Sequence, residues 1–84
     1  MEERFTLYPN PASGHINLEY AGPDIYEVMV TITDLSGKSY LSETLSYLEM
    51  DYKSTIDIST LPRGVYIVSF STSNYRQHTK LMVD

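Results

Sequence analysis

At 84 residues the chain has room for one domain, and a domain of this size hides only about 60–65% of its unfolded surface, so most apolar residues must reach the core. It has no cysteine, so neither a disulfide framework nor a thiolate metal site is available, and no apolar run approaches membrane-spanning length. The formal net charge is −5, with Arg4, Lys38, Lys53, Arg63, Arg76 and Lys80 scattered along the chain, which argues against a basic nucleic-acid face.

Met1-Glu2-Glu3 shows no charged-then-apolar leader and no small-residue cleavage site. Residues 1–4 are therefore read as a linker remnant and residues 5–84 as the domain, an excised module whose export signal belongs to a longer parent. Phe5-Thr6-Leu7-Tyr8 alternates and is stopped by Pro9-Asn10-Pro11, because proline has no N–H for a ladder and Asn10 can cap the bend through its side chain. Ala12-Ser13-Gly14 leads into Ile16–Tyr20, a half-buried strand with apolar residues at every second position. Ala21-Gly22-Pro23-Asp24 is a turn. Tyr26–Thr33 is a longer strand that places Val28, Val30 and Ile32 on one face.

Asp34-Leu35-Ser36-Gly37-Lys38 then closes a hairpin: Asp34 can accept from the turn backbone, and Gly37 can take the left-handed position. The return strand runs from about Lys38 to Tyr47, and its serines and threonines suit a place near an edge. A helix over Ser42–Met50 competes, since Leu41, Leu45 and Leu48 also fit an i, i+4, i+7 stripe, but the hydroxyl residues and Tyr47 weaken it. Leu48–Asp51 is a connection or bulge, and Ser54–Ile58 another short strand.

Leu61-Pro62-Arg63-Gly64 joins a turn to Val65–Phe70, the most hydrophobic run, read as the central strand with both faces buried. Tyr66, two residues after Gly64, has the placement of a tyrosine corner, in which the phenol bonds backbone just upstream; an ordinary core tyrosine is the alternative. Ser71–Asn74 turns the chain, and Tyr75–Val83 closes it with Thr79, Leu81 and Val83 facing inward. Seven strands with turns every 8–12 residues make this all-β, a single small antiparallel β-sandwich of immunoglobulin-like kind.

The side chains offer little chemistry. His15 and His78 lack a carboxylate at ligand spacing, no G-x-S-x-G elbow occurs, and Asp24, Asp34, Asp51 and Asp57 form no calcium loop. The reading is no catalysis, no metal and no cofactor. Tyr20, Tyr26, Tyr40, Tyr47, Tyr52 and Tyr75 could build a platform for sugar stacking, against which stands ordinary cross-strand packing.

Four pieces together resemble a known family: Leu7-Tyr8-Pro9-Asn10-Pro11-Ala12-Ser13-Gly14, Asp34-Leu35-Ser36-Gly37-Lys38, Leu61-Pro62-Arg63-Gly64-Val65-Tyr66-Ile67-Val68, and Lys80-Leu81-Met82-Val83. In order and spacing the chain from Leu7 to Asp84 is similar to the C-terminal sorting domain of type IX secretion in Bacteroidetes. The resemblance implies a non-catalytic signal at the extreme C-terminus of its parent. An N-terminal cargo crosses the inner membrane by its own signal, passes through the periplasm, and is taken over by the outer-membrane export machinery. A sortase-like peptidase then removes the domain, and the cargo is attached to the cell surface or secreted.

The residues that carry the resemblance are Pro9, Asn10, Pro11 and Gly14 at the first bend, Asp34, Gly37 and Lys38 in the hairpin, Pro62, Arg63, Gly64 and Tyr66 at the corner, and Lys80 in the tail. Glycines and prolines serve the backbone, so Arg63 and Lys80 are the better candidates for direct recognition. The family tail often carries a second basic residue close to the lysine; here His78, Thr79 and Leu81 surround Lys80, and Arg76 stands further off. Cleavage is implied upstream of the domain, before or within Met1–Phe5. Recognition is expected to use the edge of the terminal strand, to which a partner strand can add. A carbohydrate-binding or adhesive β-sandwich module of a secreted enzyme is the alternative function, and a structural spacer a third.

Overall fold

The period-two patterning of the sequence becomes seven strands, and a computed structural model describes them over residues 4–49 and 51–84. They are β1 (Arg4–Ser13), β2 (His15–Ala21), β3 (Ile25–Asp34), β4 (Ser39–Leu48), β5 (Tyr52–Asp57), β6 (Gly64–Ser71) and β7 (Arg76–Val83). Among the described residues no helix forms, and none is long and apolar enough to cross a membrane. The expected linker over residues 1–4 lies outside the described residues except for Arg4, which opens β1 opposite Ala21.

Two sheets pack face to face as an immunoglobulin-like sandwich. The smaller holds β5, β2 and the first half of β1; the larger runs β4-β3-β6-β7, and the end of β1 joins it beside β7, giving the overall order β4-β3-β6-β7-β1-β2-β5. Strand pairs are antiparallel except β1–β7, where Ala12 pairs with Val83 in parallel. The core between the sheets takes Phe5, Leu7, Ile16, Leu18 and Tyr20 from one side and Val28, Val30, Ile32, Tyr66, Val68, Phe70, Leu81 and Val83 from the other. Phe5 stacks on Phe70 with ring centroids 4.4 Å apart, tying the sheets through a parallel aromatic pair.

Three expectations change. Pro9 and Pro11 end the β1–β2 ladder, as their missing N–H groups require, but the strand does not stop: past Tyr8 it leaves β2 and passes to the other sheet. β6 is central, yet only Tyr66, Val68 and Phe70 are buried, while Val65 and Ile67 stand half-buried on the outer face of the larger sheet. The terminal strand is no edge, because β7 lies between β6 and β1. Such a pairing across the whole chain leaves no trace in the local pattern of residues 75–83.

The helix that competes over Ser42–Met50 does not form in the described part of that segment, where β4 pairs with β3 along its length at the edge of the larger sheet. Leu41 and Leu45 face inward by simple alternation, opposite Ile32 and Val28. Tyr47 takes a left-handed backbone at φ 53, which breaks the alternation and turns Leu48 inward as well. A helix-like spacing of leucines thus arises on a strand. The Met50 position within the Leu48–Asp51 connection lies outside the described residues.

Candidate functional site

Three of the four motif-like stretches and the end of the first sit side by side at one end of the larger sheet. Asp34 is opposite Tyr66, and Tyr66 opposite Leu81. Gly64 is opposite Val83, and Val83 opposite Ala12. The remaining loops at this end are joined as well: the Ile58 N–H donates to the Gly14 carbonyl at 3.0 Å, and the Leu61 N–H to the Ile58 carbonyl at 3.0 Å. Stretches far apart in sequence therefore form one continuous surface.

The hairpin is built around one carboxylate. Asp34 Oδ1 accepts from the Ser36 N–H at 2.9 Å, the Ser36 hydroxyl at 2.7 Å and the Lys38 N–H at 3.0 Å, while Gly37 takes φ 94 so that its N–H can donate to the Asp34 carbonyl at 3.1 Å. The Ser36 hydroxyl foremost, with the Lys38 and Ser36 amides and the Tyr40 hydroxyl, holds the Asp34 pKa below the ordinary 3.8. A depressed folded pKa means that the stability contributed by the ionised form is fully present above the ordinary value and is lost as pH falls through the folded one. In urea unfolding, Asp34→Asn is expected to be weaker than the native chain at neutral pH and to converge with it in acid. A gap that stays constant across that range would show that the carboxylate charge does not hold the turn.

The corner forms as the spacing implies. Tyr66 donates its hydroxyl to the Pro62 carbonyl, and burial, with Tyr40 and Asp34 nearby, raises its pKa. Tyr40 meets Tyr66 edge to face at 5.4 Å, and the Lys38 ammonium lies 5.0 Å above the Tyr40 ring. A chain of contacts from Lys38 through Tyr40 to Tyr66 thus ties hairpin to corner. A second phenol-to-backbone bond, Tyr20 to the Pro23 carbonyl, was not evident from the sequence, because Tyr20 precedes the proline it reaches.

The seam between β1 and β7 depends on two side-chain amides. Asn10 does not cap its own bend: its Nδ2 donates to the Lys80 carbonyl at 2.8 Å and its Oδ1 accepts from the Met82 N–H at 3.0 Å. Gln77 makes the reciprocal contact from β7, accepting from the Phe5 N–H at 3.1 Å and donating to the Phe5 carbonyl at 2.7 Å. The Asp84 N–H closes the seam on the Ala12 carbonyl at 2.9 Å. Each amide presents one donor and one acceptor, as a strand backbone does, so each substitutes for a missing rung. Sequence reasoning missed Gln77, since nothing local distinguishes it from any polar strand residue.

Of the candidate recognition residues, Lys38, Arg63 and Lys80 are all exposed at or near this end, and Pro9, Pro11 and Pro62 are exposed beside them. Lys80 shares the outer face with Ile67 and Thr33, directly beside the pair Val65 and Met82. His15 and His78 do not meet: His15 lies opposite Asp57 in the smaller sheet, and His78 Nδ1 contacts the Ser69 hydroxyl at 2.9 Å in the larger. Among the described residues no three His, Asp or Glu side chains cluster as metal ligands. The chain matches the family model described as secretion system C-terminal sorting domain over residues 6–84. No curated protein matches it.

Proposed function

The chain belongs to the family of secretion system C-terminal sorting domains, and from this premise we propose that it is a folded, non-catalytic signal read by the outer-membrane export machinery of type IX secretion. The family places such a domain on proteins exported toward the cell surface or secreted. The observation that carries the reading is the gathering of the motif-like stretches at one end of the larger sheet.

Strand direction adds to it. The start of β1 lies beside the start of β7, where Phe5 meets Gln77, and Ala12 meets Val83 at the motif-bearing end. A cargo fused ahead of β1 would leave from the opposite end and keep clear of the motif surface. Removal by a sortase-like peptidase would then fall in the segment ahead of β1.

Within that surface Lys80 and Arg63 are the proposed recognition residues. A lysine on an edge strand can be explained as a guard against unwanted pairing, but β7 is covered on both sides, so Lys80 has no edge to guard. The same coverage moves the mechanism from strand addition at the tail to reading of the outer face. The test is export of a fluorescent cargo fused ahead of the domain, in Bacteroidetes cells with and without a working type IX system. Export that needs the system, and that Lys80→Ala and Arg63→Ala reduce without moving the melting temperature, is the expected result. Full export of both variants would remove these residues from the interface, and export without the system would remove the function.

A further inference from the structure

At the end away from the motif surface the domain carries an exposed aromatic pair across β3 and β4. Tyr26 is 81% exposed and Tyr47 45%, with ring centroids 5.4 Å apart and planes 29° from parallel. Tyr47 is held there at some cost, because φ 53 is an outlying backbone for a bulky aromatic. Its hydroxyl donates to Asp24 Oδ2 at 3.1 Å, which fixes the ring and raises the phenol pKa. The same left-handed residue turns Leu48 into the core, while the Tyr26 ring opposite it stays largely in solvent.

Beside Tyr26 lies an open groove of about 570 Å³, within the range of small-molecule clefts. One wall is Asp24 and Glu27, and the facing wall is the Ser71–Asn74 turn. We propose that this groove is a carbohydrate site that takes a short stretch of neutral polysaccharide. The C–H face of a sugar ring packs on the exposed Tyr26 ring, which offers area at little entropic cost. Its hydroxyls donate to the Asp24 and Glu27 carboxylates and bond the Ser73 and Asn74 side chains. Anionic polymers are disfavoured, because the described lining residues include two carboxylates and no cation. The site is separate from the motif surface, so it neither depends on the export reading nor conflicts with it.

Native affinity electrophoresis of the full 84-residue chain through gels containing xylan, mannan or laminarin tests this. Retardation by at least one of the neutral polysaccharides is expected. Tyr26→Ala should weaken it about tenfold or more in Kd, while Tyr26→Phe retains it. Melting temperature should be unchanged in Tyr26→Phe and slightly lower in Tyr26→Ala, which gives up the stack on Tyr47, so the gels are run well below it. Two results overturn the assignment: no retardation by any neutral polysaccharide, or equal retardation of the native chain and Tyr26→Ala.

Discussion

Phe70→Ala is expected to remove most of the domain's stability and bring it close to its unfolding midpoint at room temperature. Phe70 is fully buried on β6 beside Val68, opposite Val30 on the neighbouring strand, and stacks on Phe5 of the facing sheet. Truncation removes the ring, its stacking partner and the packing around it, at about 3–5 kcal/mol. A domain of this length has on the order of 5 kcal/mol in all, with no disulfide to add to it. The loss takes most of that margin and leaves about 0–2 kcal/mol, so the variant is marginal and close to its midpoint. Near-ultraviolet circular dichroism and urea unfolding measure this directly. Leu35→Ala is the control: Leu35 is 72% exposed in the hairpin, and its truncation should change stability by less than about 0.5 kcal/mol. A cooperative transition in Phe70→Ala close to that of the native chain would mean that the two sheets are held together elsewhere.

Asn10→Asp should open the seam between β1 and β7 with almost no change of side-chain shape. Aspartate keeps an acceptor for the Met82 N–H but loses the donor for the Lys80 carbonyl, and sets a carboxylate oxygen against it. The bond is exposed to solvent, so its loss, with the partner left facing an acceptor, is worth about 0.5–1.5 kcal/mol. The effect is local in kind: the end of β1 should loosen from β7 while the rest of the larger sheet stays paired. Amide exchange at Met82 and Asp84 should speed up well beyond exchange in β3 and β6. If the motif surface is what the export machinery reads, the same change should lower export, since Lys80 is carried on the strand that Asn10 holds. Unchanged exchange at Met82 would show that the backbone pairing of Ala12 with Val83 suffices without the side-chain bridge.

Much of the fold was legible from residues in local sequence. Val28, Val30 and Ile32 alternate with Met29 and Thr31 and are all buried; Leu81 and Val83 likewise face inward, with Thr79 half-buried between the sheets. The candidate site was legible as pieces. Each motif announced its turn chemistry, and the Asp34 turn and the Tyr66 corner formed as their spacing implied. The assembly of those pieces was not legible. Asn10 was read as serving its own bend, because an asparagine between prolines has an obvious local role. Gln77 attracted no attention, because a strand glutamine has none.

The sequence by itself determined that there are seven strands, the inward faces of β2, β3 and β7 and the two tight turns, since all of these depend on neighbours within a few residues and on a period of two. The tertiary structure decided which strands are edges, that β1 crosses from one sheet to the other, and that the first bend grips the last strand. The Asn10 bonds to the backbone of Lys80 and Met82 join residues 70 and 72 positions apart. At that separation the partner is chosen by how the sheets close over the core, and no local pattern encodes it.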